Sequence, residues 1–287
     1  MKSKLINPVS EVIFSLLLLF IIAQPLSADR RLTMSLDTGS VSSGEVYRRN
    51  LFSDLKYVYK APFHWNKKEI LTAAVVTGTA AALYLNDAKI MKFFQANRSR
   101  TTRSIAHVTE KFGNQRYVIP GLAILYGYGK LFKSERSENI ALLSAKSIVA
   151  TQIVVYLLKL SAHRHRPNEG NGKPNRWDGP KFSFKNLSFC SGHSAMAFTL
   201  AAVIATRLNT TGAGILAYGG ATLTALSRVH DKKHWFSDVF VGSVVGYVIG
   251  RTIARRRNPT SETAFRKTAS IPLVVFPKAG ISIGIQF

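Results

Sequence analysis

The sequence predicts an all-α fold, a bundle of about six helices with a short C-terminal β-hairpin. Apolar segments long enough for helices recur between residues 70 and 255, with polar breaks between them. Gly242, Gly246 and Gly250 follow one another at four-residue intervals, a spacing that lets two helix backbones approach closely. The chain is 46% hydrophobic, which is too apolar for a disordered protein.

The predicted helices occupy these apolar segments in chain order. They are assigned to residues 70–85, 117–131, 139–160, 193–207, 213–226 and 237–255. A shorter helix over 54–59 is expected to end before Pro62, because proline disfavours helical backbone in the residue that precedes it. Residues 86–116 form a mixed and strongly basic stretch, and residues 161–191 form a loop rich in Gly, Pro and Asn.

The first residues have the pattern of a secretory signal. Lys2 and Lys4 precede an apolar stretch over 12–23, and small or polar residues follow up to Ala28. An uncleaved anchor helix is the alternative, but the stretch is shorter than the ~20 residues that span a bilayer. We therefore expect an exported protein, membrane-associated or periplasmic in a Gram-negative bacterium. The predicted regions are a signal peptide at 1–28, an N-terminal arm at 29–68, the helical bundle at 69–257 and a tail at 258–287.

The tail changes character after the basic residues that end the bundle. Residues 270–276 and 281–287 alternate in polarity around a turn containing Pro277 and Gly280, which predicts a hairpin. Alternation ending in a terminal Phe also occurs in outer-membrane proteins, but one hairpin cannot close a barrel. A small hairpin packed on the bundle is the favoured interpretation.

The net charge limits the partners of this protein. A formal charge of +24 predicts a polyanionic partner or an anionic membrane surface. Nucleic acid is disfavoured, because no basic recognition helix, aromatic stacking set or zinc spacing accompanies the charge. Most uncharged segments are shorter than the ~20 residues of a membrane span, so the number of crossings stays open. Cys190 is the only cysteine, which excludes an intrachain disulfide.

Three segments of the bundle contain residues suited to phosphate chemistry. They are Lys159 with Arg166-Pro167, then Ser191-Gly192-His193, then Ser227-Arg228 with His234 and Asp238. Cations that neutralise equatorial oxygens, an activated imidazole and a second imidazole for proton transfer meet the needs of in-line attack on phosphorus.

The spacing and order of these residues resemble the type-2 phosphatidic acid phosphatase superfamily. This superfamily includes bacterial acid phosphatases, lipid phosphate phosphatases and vanadium haloperoxidases. The resemblance covers residues 70 to 257 and implies a helical fold and a phosphohistidine intermediate. It departs from the family at Cys190, where proline usually precedes the Ser-Gly-His segment.

His234, His193 and Asp238 form the predicted catalytic set. His234 is the expected nucleophile, because a neutral imidazole can attack phosphorus when its other nitrogen is held. Asp238 follows four residues later on the same helical face, where we expect it to contact the ring and fix its tautomer. His193 is the expected general acid for the leaving group and then the base that activates water.

The predicted phosphate-binding residues are Lys159, Arg166, Ser191, Gly192 and Arg228. The three cations neutralise the phosphoryl oxygens, and the Ser-Gly turn at a helix start offers free N–H groups to an anion. Pro167 is expected to stop the preceding helix and turn Arg166 into the pocket. Ser227 suits phosphate binding and capping of its turn equally.

Other polar residues near the motifs receive lesser roles. His230 is expected either at the pocket rim or behind the residues that contact phosphate, and Asp231 in solvent. His163 and His165 alternate like a ligand pair, but no carboxylate or cysteine lies nearby in the sequence, so no metal and no cofactor is expected. The basic stretch 86–116 is expected to select substrate or to contact anionic headgroups.

These observations predict a metal-independent phosphatase that acts on a phosphorylated lipid or a small phosphate ester. Phosphatidate, phosphatidylglycerol phosphate, undecaprenyl diphosphate and lipid A phosphates are all compatible with the motifs. The alternatives are a vanadate-dependent haloperoxidase and a non-enzymatic module that binds anionic lipid through its basic face.

Overall fold

The computed structural model describes residues 64–169, 172–183, 185 and 187–255, together with residues 53, 56, 57 and 60. Within this part, the chain is mainly α-helical, which confirms the predicted helical class. The α-helices are α1 (Lys67–Ala96), α2 (Arg100–Thr109), α3 (Gln115–Leu131), α4 (Glu135–Ala162), α5 (Gly192–Leu208), α6 (Thr211–His230) and α7 (Phe236–Arg255), with the 3-10 helix at Glu110–Gly113.

Helices α5 and α7 pack in parallel through the predicted glycine stripe. A Cβ atom on Gly242 would lie 2.4 Å from the Ser191 carbonyl oxygen, and one on Gly250 would lie 2.6 Å from that of Thr199. The partner positions advance along α5 as the glycines advance along α7, so both helices run in the same direction. The prediction of close backbone packing is confirmed, and the packing places the start of α5 beside the first turns of α7.

Helix α4 packs against α5, and Thr199 of α5 hydrogen-bonds both to α4 and to the Gly246 carbonyl of α7. The hydroxyls of Thr151 and Thr199 form a hydrogen bond of 2.9 Å, and Gln152 donates to the Gly192 carbonyl. The apolar side chains of Val155 and Leu158 are fully buried in the main core. The C-terminal end of α4, which contains Lys159, therefore lies beside the N-terminal end of α5.

Helix α1 is longer than the sequence predicted, and helix α2 was not predicted. A capping box of Asn66 and Glu69 starts helix α1 at Lys67. The helix continues through residues 87–92 to Ala96, with Asp87 buried inside the protein. Helix α2 lies within the basic stretch, for which we predicted no helix. A capping box between Ser99 and Thr102 starts it.

The predicted role of Pro167 in ending a helix is wrong. Helix α4 ends at Ala162, and His163 follows in the left-handed conformation with φ of 43°. The His163 ring contacts the carbonyl oxygens of Leu160 and Ser183, at 3.0 and 2.8 Å. This cap turns the chain before Pro167 is reached, and Arg166 lies in the loop that follows.

Three described helices, α1, α4 and α7, have the length and the apolar composition needed to cross a membrane. The lengths of the uncharged segments underestimate the lengths of these helices, because the helices also contain charged residues, such as Asp87 and Lys146, that are buried within the protein. The structure thus favours a membrane protein, on length and composition alone. The predicted signal peptide at 1–28, most of the short helix at 54–59 and the C-terminal hairpin lie outside the described residues.

Candidate active site

The three sequence motifs converge at one end of the helical bundle. Lys159 lies in the last turn of α4, His193 in the first turn of α5, and His234 and Asp238 flank the start of α7. The Ser191 N–H donates to the Asp238 carbonyl oxygen at 3.0 Å, which ties the second motif directly to the third.

His234 is held by one nitrogen and buried among cations. Its Nδ1 atom lies 2.7 Å from the Ser188 carbonyl oxygen, which can only accept a hydrogen bond. The neutral ring therefore has its proton on Nδ1 and a lone pair on Nε2. Burial, followed by the charges of Lys159 and Arg166, holds the pKa of His234 well below its usual value, so the ring is neutral and nucleophilic at pH 7.

The predicted direct contact between Asp238 and the His234 ring is replaced by an indirect one. Asp238 Oδ2 accepts hydrogen bonds from Ser188 Oγ at 2.5 Å and from the Trp235 N–H at 3.0 Å. Its Oδ1 pairs with Arg164 at 2.5 Å. The carboxylate therefore holds Ser188, and the backbone carbonyl of Ser188 holds the imidazole.

Arg164 and Asp87 belong to this arrangement, although the sequence analysis missed both. Arg164 is fully buried and pairs with Asp87 Oδ2 at 2.7 Å and with Asp238. Asp87 lies on α1, far from the motifs in sequence. The signal that could have identified it is a lone carboxylate, because Asp87 is the one acidic residue between Glu69 and Glu110 and directly follows an apolar segment, where a buried charge requires a partner.

His193 faces the same cations at the start of α5. Burial, followed by the positive charge of Arg228, lowers the pKa of His193 to about 4, while the negative charge of Glu110 acts in the opposite direction. The ring is therefore neutral at pH 7 before an anion binds. For His193 to donate a proton to a leaving group, a bound phosphate must first raise the pKa of the ring.

Lys159 and Arg166 supply positive charge to both histidines. Lys159 Nζ donates to the Leu187 carbonyl oxygen at 2.6 Å, and its Cε lies 4.0 Å from the position that a Cβ on Gly192 would take. The ammonium group is thus placed beside the Ser-Gly turn. Arg166 is half-buried, and its charge lowers the pKa values of His193 and His234.

The turn before α5 is shaped chiefly by capping. Ser191 caps α5, because its Oγ accepts hydrogen bonds from the Ser194 N–H and from the Ser194 hydroxyl, the latter at 2.9 Å. Gly192 has space for a Cβ, since its nearest neighbours would lie 3.6 Å or more away. Burial raises the pKa of the Cys190 thiol to about 12, so this thiol stays protonated and takes no part as a nucleophile.

Arg228 is bound within the protein by an acidic residue. Its Nη2 atom pairs with Glu110 Oε2 on the 3-10 helix, and its Nε donates to Ser227 Oγ at 3.1 Å. The Ser227 hydroxyl itself donates to the Thr224 carbonyl oxygen at 2.6 Å, a contact that stabilises the last turn of α6.

The remaining polar residues lie around this cluster. His230 contacts Thr102 and Asp231, at 3.2 and 2.8 Å, so it joins α2 to the end of α6. Asp231 is half-buried and also pairs with Arg228 and Arg98, at 3.5 and 4.0 Å, so solvent reaches only part of its side chain. His165 contacts Asp178 at 3.1 Å. Across the described residues, no three His, Cys, Asp or Glu side chains form a group that could hold a metal ion.

The sequence of the bundle matches a known protein family. Residues 141–260 match the model of the PAP2 superfamily, and all eight predicted site residues lie within that range. The resemblance predicted from the sequence is confirmed. Asp87 and Glu110 lie outside the matched range, so their contacts come from the structure alone.

One known sequence and one solved structure are similar to this chain. A lipid A 1-phosphatase of Porphyromonas gingivalis is 32% identical over 80 residues, which cover 24% of this chain and only 18% of that protein. The crystal structure of the first transmembrane PAP2 type phosphatidylglycerolphosphate phosphatase from Bacillus subtilis superposes with a TM-score of 0.46 and 17% identity. That comparison covers 68% of this chain and 96% of the other.

Proposed function

We propose that this protein is a metal-independent phosphatase that hydrolyses a lipid-linked phosphate ester through a phosphohistidine at His234. The contact between His234 Nδ1 and the Ser188 carbonyl carries this proposal. It fixes the tautomer whose free lone pair lies on Nε2, which is the form that attacks phosphorus. The matched family and the lipid phosphatase named among the relatives support the reaction class.

The site residues divide the reaction between them. Nε2 of His234 attacks phosphorus, and the bond to the leaving oxygen breaks as His193 donates a proton to it. Lys159, Arg166 and Arg228 bind the equatorial oxygens, whose charge they neutralise in the transition state. In the second half of the reaction His193 removes a proton from water, which attacks phosphorus and frees His234.

A lipid substrate fits the surface beside the site. Helix α2 exposes Arg100 and Arg103, and the same segment exposes the apolar side chains of Val108 and Phe112, each 54% exposed. Basic and apolar groups on one segment match the interface between anionic headgroups and acyl chains. The same segment contacts the site through the Glu110 pair with Arg228 described above.

The proposed location is the bacterial envelope. The three apolar helices support membrane association. The predicted signal at 1–28 supports export in a Gram-negative bacterium. Fractionation of cells producing the full chain tests this, and recovery of the protein in the cytosolic fraction would contradict it.

Phosphate release in the presence of a chelator tests the reaction. The purified protein in detergent is incubated with phosphatidate, phosphatidylglycerol phosphate, undecaprenyl diphosphate or lipid A, with and without EDTA. We expect release that EDTA leaves unchanged, and loss of release in His234→Ala. Activity that requires added metal would contradict charge neutralisation by the protein alone. Vesicle binding without phosphate release by the wild type would identify a lipid-binding module instead.

Trapping of the intermediate tests the role of His234 separately. A substrate labelled in the phosphate is mixed with the protein and quenched in alkali, in which phosphohistidine survives. We expect label on the wild type and none on His234→Ala. Equal labelling of both proteins would place the nucleophile elsewhere.

A further inference from the structure

Arg164 is the centre of a buried ionic cluster behind the site. Nη1 donates to Asp238 Oδ1 at 2.5 Å and to Ser237 Oγ at 2.8 Å, and Nη2 donates to Asp87 Oδ2 at 2.7 Å. Nε and Nη2 also reach the Pro174 carbonyl oxygen, at 3.0 and 2.9 Å. The guanidinium group therefore has partners on α1, on α7 and in the loop between α4 and α5.

Aromatic rings surround the same guanidinium group. Its Cζ lies 4.9 Å from the ring centres of Tyr84 and Trp177, and 5.5 Å from that of Trp235. Cation–π contacts with desolvated arginine are strong. They complete an enclosure in which Arg164 has no room to change its orientation, so the carboxylates it binds are also fixed.

The chain of contacts continues from Arg164 to the nucleophile. Asp238 binds Arg164 through Oδ1 and Ser188 Oγ through Oδ2, and the Ser188 carbonyl accepts from His234 Nδ1. Asp87 stands at the other end, where Oδ1 accepts from the Ser237 N–H at 3.0 Å. Asp87 accepts hydrogen bonds from Arg164, from the Ser237 N–H and from the Ser237 hydroxyl, which is the pattern of an ionised carboxylate.

We propose that Asp87 and Arg164 are positioning residues for His234, which they orient through Asp238 and Ser188. This inference rests on the proposed function of His234 as the nucleophile. Arg164 holds the Asp238 carboxylate, which holds Ser188, whose carbonyl oxygen accepts the hydrogen bond from His234 Nδ1. An acceptor fixed at that position stabilises the positive charge that develops on the ring as the bond to phosphorus forms.

A structural role alone is the competing explanation. Buried ion pairs often contribute little to stability, so their presence does not decide between the two roles. The positioning role predicts an effect on turnover that is separate from folding and from substrate affinity. Asp87→Asn tests it, because the substitution keeps the shape of the side chain and removes its charge.

The assay follows hydrolysis of para-nitrophenyl phosphate by the full chain in detergent. We expect kcat of Asp87→Asn to fall by about 10- to 100-fold, the range seen when residues that orient active groups are changed, with little change in KM. Asn86→Ala is the matched control, since Asn86 is the neighbouring residue and is exposed. A wild-type kcat for Asp87→Asn would overturn the inference.

Coupling with Asp238 provides the second measurement. If Asp87 acts through Arg164 and Asp238, the double variant Asp87→Asn/Asp238→Asn loses no more kcat than Asp238→Asn alone. Full additivity of the two losses would overturn the inference. If Asp87→Asn does not fold, Ser188→Ala interrupts the same chain without removing a charge. We expect it to lower kcat by about tenfold, and an unchanged kcat would again overturn the inference.

The failure of this inference can be told from the failure of the proposed function. An inactive His234→Ala with a fully active Asp87→Asn would reject the positioning role and keep the nucleophile. A fully active His234→Ala would reject both, because no nucleophile would remain for Asp87 and Arg164 to orient.

Discussion

Gly246 of α7 lies against the backbone of Ala195 in α5, so closely that a Cβ atom on Gly246 would sit 2.0 Å from the Ala195 carbonyl oxygen. The contact is with backbone, which cannot rotate away as a side chain can. Because α5 begins at the Ser-Gly-His segment and α7 begins beside His234, this glycine contact sets the distance between the two catalytic motifs.

Gly246→Ala is therefore expected to destabilise the protein and to reduce its activity. Overpacking of a core typically costs about 1–3 kcal/mol, and a backbone clash belongs to the upper part of that range. The free energy of unfolding in detergent, measured with denaturant, checks the expectation. Phosphate release per folded molecule should fall as well, because separating α5 from α7 moves His193 away from His234.

Gly78→Ala is the matched control for this substitution. Gly78 is an exposed residue inside α1, and a Cβ there would meet nothing within 4 Å. Alanine is favoured over glycine in a helix by about 1 kcal/mol, so this variant should be as stable as the wild type or more stable. Equal stability of both variants would show that the α5–α7 contact tolerates separation.

Arg228→Lys is expected to reduce kcat/KM by about 100-fold. Arginine binds Ser227 through Nε and Glu110 through Nη2, and its planar group can also present two parallel donors to a phosphoryl group. Lysine offers a single point charge, and loss of one donor to a transition state typically costs about 100-fold or more. Steady-state kinetics with para-nitrophenyl phosphate measure the change.

The control for this variant is Arg116→Lys, because Arg116 is an exposed residue at the start of α3. It should keep the wild-type kcat/KM for the soluble ester. If Arg228→Lys also keeps it, Arg228 serves to anchor Glu110 rather than to bind phosphate.

Glu110→Gln is expected to strengthen binding of inorganic phosphate. Glu110 places a negative charge beside Arg228, where the charge opposes an incoming anion. Glutamine can still accept a hydrogen bond from Arg228 but has no charge. The pair is partly exposed, so we expect the free energy of phosphate binding to become more favourable by about 1 kcal/mol. That corresponds to a roughly fivefold lower inhibition constant for phosphate.

The comparison uses competitive inhibition of para-nitrophenyl phosphate hydrolysis at constant ionic strength. Glu138→Gln provides the control, since Glu138 pairs with Lys130 at 2.7 Å on α3 and α4. Weaker phosphate binding by Glu110→Gln would mean that the carboxylate is needed to orient Arg228.

The site residues that the sequence predicted lie in short local motifs. Residues such as His193 and His234 fall in short motifs, and a motif's spacing constrains which side chains share a turn or a helical face. The predicted contact between the Asp238 carboxylate and the His234 ring is absent. Four-residue spacing places its side chain on the correct face, but the Ser188 backbone comes from the loop before α5 and intervenes between the carboxylate and the ring.

The unpredicted parts depend on contacts between segments that are distant in sequence. Helix α1 continues past residue 85 with Asp87 buried. This is possible because the ion pair with Arg164 offsets the free-energy cost of burying the carboxylate. Helix α2 lacks a long apolar run and depends on its capping box and on contacts of Thr102 with α6. The local sequence around each helix predicts neither Arg164 as the partner of Asp87 nor α6 as the partner of Thr102.

The two active-site histidines are expected to make the empty protein less stable in acid. In the unfolded chain a histidine takes up a proton as the pH falls through 6.5, whereas the pKa of His193 in the folded protein is lowered to about 4 and that of His234 is also lowered. Between these values the unfolded state binds more protons than the folded state. The free energy of unfolding therefore falls as the pH decreases from 6.5 toward 4.

Denaturant unfolding in detergent at pH 8, 7, 6 and 5 measures this dependence. His193→Asn should show a shallower loss of stability below pH 6.5 than the wild type, because one of the two neutral rings has been removed. Between pH 8 and 7 the two proteins should show parallel curves, since the rings are then neutral in both states. A loss equal to that of the wild type at pH 5 would mean that His193 is protonated in the folded protein, and that it needs no bound phosphate to act as a proton donor.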